Sequence, residues 1–109
     1  MTRLPLSRAA AALLRALIVR TGLDRDRILL SEVHSTDWQS LTFAGEQHRL
    51  LLHIAGPDAG PACSRLTDGL QDAEFALPGH IVADIRAERQ AEADDGSITV
   101  AVEALTIAE

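Results

Sequence analysis

Asp94-Asp95-Gly96-Ser97-Ile98-Thr99-Val100-Ala101-Val102 joins an Asp-Gly turn directly to a strict alternation of aliphatic and smaller residues. An Asp-Gly step flanked by alternating hydrophobics predicts a type I′ hairpin turn, because glycine accepts the positive φ that such turns demand. Ile98, Val100 and Val102 then share one strand face. Upstream, His80 to about Ala91 alternates Ile81, Ala83 and Ile85 against Asp84, Arg86 and Glu88, a second strand with one wet face. A turn this short forbids a parallel crossover, so the two strands are antiparallel. Downstream the pattern slips to Leu105 and Ile107, of opposite parity to Val102. Either a bulge near Glu103 resets the phase, or these residues bury their other face against something else.

The first half of the chain repeats this logic less cleanly. Ile28 to Ser35 is aliphatic, a tight turn is expected at Thr36-Asp37, and Trp38–Ala44 and Gln47–Ala55 resemble a hairpin around Gly45-Glu46. That register sets Phe43 against His48, Leu41 against Leu50 and Trp38 against His53. Leu41, Phe43, Leu50, Leu52 and Ile54 then occupy one face, and Trp38, Arg49 and Leu51 the other. Before these strands, Ala10, Leu13, Leu14, Leu17 and Ile18 recur at helical spacing. Ser7 is placed to cap that helix, Arg20 to complement its dipole and Gly22 to close it. Between the strand groups, Gly56-Pro57-Asp58 ends a strand and starts a second helix, weakened by Gly60 and Gly69.

These readings assemble into a single α+β domain over residues 1–109: a helix at about 7–21, strands within 28–55, a helix at about 58–72 and a C-terminal hairpin at about 80–108. The expected architecture is a two-layer sandwich, an antiparallel sheet of about five strands with both helices on one face, in the order α-β-β-β-α-β-β. The uncovered sheet face should then be polar. Instead it carries Leu29, Val33, Trp38 and Leu51, and a patch of that kind marks an interface.

Composition narrows the classes. The chain is 47% hydrophobic and 24% charged, with only Trp38, Phe43 and Phe75 aromatic, so its core is aliphatic. Lysine, asparagine and tyrosine are absent, which we read as codon bias in a GC-rich bacterial genome. Cys63 is the lone cysteine, which rules out an internal disulfide and fits the reducing cytoplasm. Arg15 interrupts the N-terminal apolar run and no small-residue cleavage site follows, so the run reads as a helix rather than a leader. Nothing approaches the ~20 apolar residues of a membrane span. In residues 1–27, six arginines against Asp24 and Asp26 leave +4; in residues 28–109, four arginines against fourteen acids leave −10. An acidic body repels phosphate backbones, so nucleic acid is not an expected partner, nor is a membrane.

No catalytic constellation survives a geometric test. Ser31, His34 and Asp37 alternate faces on a strand and cannot form a triad. His48 and His53 point to opposite faces, and His34, expected on the His48 face, lies too far along to share an ion with it, so no metal is expected. Cys63 sits on the apolar stripe of its helix with Leu66 and Leu70, as a small buried hydrophobe would. Asp58 stands where Gly56–Gly60 would need to hold a phosphate. The acids Asp72, Glu74, Asp84, Glu88 and Asp94 fall on wet faces or turns. No cofactor is implied.

The leading expectation is therefore a non-catalytic interaction module, a homodimer joined through the sheet face by Trp38, Leu51, Leu105 and Ile107. The arginines of the first helix, Arg3, Arg8, Arg15 and Arg20, are available to an acidic protein partner. The alternative is a small-molecule-binding domain or small enzyme using His34, His48 or His53 with Arg49, at the sheet face or between subunits.

Overall fold

The structure is a computed structural model and describes residues 6–109. Helix α1 (Arg8–Thr21) opens as its sequence dictates. The Ser7 hydroxyl oxygen accepts the Ala10 N–H at 3.1 Å, and Gly22, at φ 73°, closes the helix with its N–H on the Val19 carbonyl. A short 3₁₀ turn (Arg25–Arg27) leads to β1 (Ile28–Gln39) and β2 (Ala44–Ile54); α2 (Ala59–Thr67) and a second 3₁₀ turn (Leu70–Asp72) lead to β3 (His80–Glu92) and β4 (Ile98–Ala108). The four strands form one antiparallel sheet in the order β1-β2-β4-β3.

The class is the expected α+β sandwich, with one strand fewer. The chain does not turn at Thr36-Asp37 but runs straight to Gln39, and it does not turn at Gly45-Glu46, which lies inside β2. The reversal is instead at Leu41-Thr42, where the Ser40 N–H donates to the Phe43 carbonyl at 2.9 Å and the Ser40 hydroxyl accepts the Phe43 N–H at 3.1 Å. Two predicted strands thus merge into β1, and the order becomes α-β-β-α-β-β. Gly45 is glycine for another reason. It pairs with both Trp38 and Ile107, and a Cβ there would fall on the Thr106 carbonyl oxygen, far inside van der Waals contact. Gly45→Ala is expected to cost about 1–3 kcal/mol by forcing β2 from β4; a lower urea midpoint with an unchanged slope is the measure.

Two further details differ from the sequence reading, and a third settles a choice that it left open. The last hairpin is a three-residue loop: Ala93 and Ser97 pair, the Gly96 N–H reaches the Ala93 carbonyl, and only Gly96 has positive φ, at 86°. A type I′ turn needs positive φ at two positions, so this is a type I turn closed by a glycine bulge. The Asp95 carboxylate accepts both the Ser97 hydroxyl at 2.7 Å and its N–H at 3.0 Å, and these bonds hold it below the usual carboxylate range. The second helix stops at Thr67 rather than running to 72, because Gly69 enters the left-handed region at φ 67°. Finally, β4 carries no bulge, so Leu105 and Ile107 do face away from Val100 and Val102.

Both helices cover one face of the sheet. Leu13 and Leu17 of α1 and Ala62, Cys63 and Leu66 of α2 form one core with Leu50, Leu52 and Ile54 of β2, Val100 and Val102 of β4, and Ile85 of β3. Bulges at Ser31 and Ala83 shift parity on the two edge strands. Val33 therefore turns into the core, against expectation, and Ile81 turns out of it although Ile85 is buried. The helix C-termini are tied reciprocally: the Arg20 guanidinium donates to the Leu66 and Asp68 carbonyls at 3.1 and 2.7 Å, and Arg65 donates to the Thr21 carbonyl at 2.7 Å. Cations suit these dipole ends.

Candidate functional site

The functional candidate is the sheet face that the helices leave open. Register fixes which side chains share it, because paired residues in neighbouring strands point the same way. One cross-strand row reads Trp38, Gly45, Ile107 and Ile81 from β1 to β3; a central row reads His34, Arg49, Glu103 and Arg86; the next reads Glu32, Leu51, Ala101 and Glu88. All four residues expected at an interface, Trp38, Leu51, Leu105 and Ile107, thus lie on this one face. Trp38 is 37% exposed, and Leu29 and Ile81 at its margins are 62% and 51% exposed. The apolar side chains flank the polar central row on both sides. Leu41 and Phe43 add exposed apolar surface at the adjoining hairpin tip.

In the central row, Arg86 donates to Glu103 from both Nε, at 2.9 Å, and a terminal nitrogen, and both bonds go to Oε2. The Arg86 guanidinium holds the Glu103 carboxyl below its usual range, with Arg49 acting in the same direction. Arg49 itself is exposed and, among the described residues, has no carboxylate within salt-bridge distance. Sequence reading missed Glu103 and Arg86 as members of this row, since their meeting depends on β3 pairing with β4 beyond a bulge.

The four residues of the ligand-binding alternative are divided. His34 is the direct neighbour of Arg49, and His53 shares their face four residues along β2. His48 lies on the opposite face, buried, so His34 and His48 do not share a face as expected; the true hairpin turn shifts the β1 register. Two shallow hollows adjoin this row, one lined by His34, Thr36, Gln47, His48, Arg49 and Glu103 and the other including Arg49, Arg86, Glu88, Ala101 and Glu103. Among the described residues no three His, Cys, Asp or Glu side chains gather as metal ligands, and no helix is long and apolar enough to cross a membrane. Arg8 and Arg15 of α1 are exposed, Arg20 is engaged by α2, and Arg3 lies outside the described residues.

His48 is a structural residue. The Ser35 hydroxyl meets its Nδ1 at 2.8 Å and the Thr106 hydroxyl its Nε2 at 2.8 Å, linking β1, β2 and β4. Burial pushes its pKa down, opposed by Glu46 and assisted by His80. The unfolded state therefore binds this proton more readily than the folded state does. The stability contributed by neutral His48 is complete above the ordinary value of about 6.5 and is lost as pH falls below it. Thermal melts from neutral to mildly acidic pH should show that decline in wild type, with a shallower slope in His48→Gln.

Fold and site together define a two-layer α+β sandwich with an amphipathic open sheet face. Comparison with protein-family models, curated proteins and solved structures returned no match at any level that carries an argument.

Proposed function

We propose that this chain is a non-catalytic interaction module that acts as a homodimer, joined through the open face of its sheet. The observation that carries the reading is the line of apolar side chains on that face, Trp38, Leu51, Leu105, Ile107, Leu29 and Ile81, on the side away from the helices. Exposed apolar surface gathered on one face marks association sites. Four strands at ~4.8 Å by about ten residues at ~3.3 Å give a flat area on the order of 600 Å² per copy. A standard interface buries ~800 Å² per partner, so this face is of the size a specific dimer needs.

Sedimentation equilibrium across a wide concentration range tests the reading: a dimer at micromolar concentration supports it, and a monomer throughout ends it. A second reading, a small anionic ligand in the hollow lined by His34 and Arg49, has the support of two cationic-capable side chains on one row. Added mass retained in a native mass spectrum would favour that reading.

A further inference from the structure

We infer that the two copies pack face to face about a two-fold axis parallel to the strands, running between β2 and β4, so that Arg49 of each copy meets Glu103 of the other. The inference rests on the homodimer reading above and specifies its geometry. Two faces related by a two-fold axis lying between them can be arranged with that axis along the strands or across them. An axis across the strands at the central row sets Arg49 over Arg49 and Glu103 over Glu103, desolvating like charges against each other. An axis along the strands, centred between β2 and β4, reverses the strand order of the second copy while keeping each row in register. Then β2 faces β4 and β1 faces β3 of the second copy.

The two inner contacts of the central row are complementary under this operation, Arg49 over Glu103 twice, while at its ends His34 comes to face Arg86. Arg49 is exposed and lacks an ion-pair partner among the described residues. Glu103 gives only Oε2 to Arg86, which leaves Oε1 open toward the second copy's Arg49. In the next row Leu51 comes to face Ala101, a large residue against a small one, with Glu32 and Glu88 facing each other at the exposed edges; two rows to the other side Ile107 comes to face the space above Gly45, where no side chain projects. At the margin Trp38 comes to face Ile81, joining the two most exposed apolar edges of the same row. Packed sheets cross at about −30°, so the match is closest at the level where the facing strands cross. Buried ion pairs of this kind chiefly select register and orientation rather than add affinity.

The test is a charge swap divided between two proteins. Arg49→Glu and Glu103→Arg are each expected to self-associate ~10-fold or more weakly than wild type, because each puts like charges at both symmetry-related contacts. Mixed in equal amounts, they are expected to form a heterodimer of wild-type stability, since one copy then carries two acids and the other two arginines. Repair within one chain cannot produce that result. A wild-type dimer whose variants stay apart on mixing, or self-associate undiminished, would overturn the axis and leave the homodimer standing; a wild-type monomer would remove both.

Should either charge variant fail to fold by circular dichroism, single-cysteine proteins Thr36→Cys and Asp84→Cys, at the two edges of one row of the open face, in a Cys63→Ala background supply the second measurement. Sheets pack ~10 Å apart, so a short bis-maleimide spans the gap. Cross-linking is expected in the Thr36→Cys and Asp84→Cys mixture and not in either protein alone, because β1 faces β3 of the second copy at ~10 Å while the same edge strand of the two copies lies ~17 Å apart; efficient self-cross-linking of either one would contradict the axis.

Discussion

Leu50→Ala is expected to destabilise the fold by about 3 kcal/mol or more, lowering the thermal midpoint by over ~10 °C, the largest effect of any single substitution considered for this chain. Leu50 is fully buried on inner strand β2, between Val33 on β1 and Val102 on β4, and under the helix layer. Both neighbours are β-branched residues held on paired strands, so neither can move into the space that the lost side chain leaves. The cavity therefore stays open, and its cost adds to the lost transfer free energy. Leu29→Ala is the control. Leu29 is the same residue type, 62% exposed on the open face, and its truncation should change monomer stability by no more than about 0.5 kcal/mol. Urea denaturation of both variants at one protein concentration separates these outcomes. Near-equal midpoints would mean that the sheet buries the other face.

Trp38→Ala is expected to weaken self-association by about 2 kcal/mol, roughly a 30-fold rise in dissociation constant, with little effect on the fold of each copy. Trp38 lies on edge strand β1, pairs with Gly45 and projects from the open face with Ile107 and Ile81 in its row. A large aromatic that contributes no side chain to the helix-side core has its greatest opportunity for burial in an assembly. Sedimentation equilibrium of wild type and variant reads the difference directly. An unchanged monomer–dimer balance would remove Trp38 from the interface and with it the main support for the homodimer reading. The Leu50 and Trp38 experiments are independent, since one residue faces the helices and the other faces away from them.

Element types were legible wherever local chemistry alone decides them. Ser7, Arg20 and Gly22 mark both ends of α1, and each does in the structure what its side chain allows. The Asp-Gly step brought β3 and β4 together correctly even though its turn type is different, because either turn reverses the chain over the same few residues. The opposite parity of Leu105 and Ile107 was visible in sequence, and an unbroken β4 resolves it in favour of a second apolar face. The β1–β2 turn was not legible: Leu41-Thr42 has no glycine, proline, aspartate or asparagine, while Gly45, three residues on, imitates a turn signal. That displacement moved His34 to the wrong face, so the neighbouring pair His34 and Arg49 could not be seen.

Local chemistry committed the chain to a capped first helix, alternating strands, an aliphatic core and an antiparallel class. Each follows from residues within a few positions of one another, acting through caps, turns and periodicity. Which residues stand side by side on the open face is instead a matter of packing. The row His34, Arg49, Glu103 and Arg86 draws one residue from each of four strands, and its alignment depends on the β1–β2 turn at Leu41-Thr42 and on a bulge at Gln90 in β3. A one-residue slip on a strand exchanges its faces, and the direction of that slip is set by which side chains the helices bury, a property of the packed molecule and of no single segment.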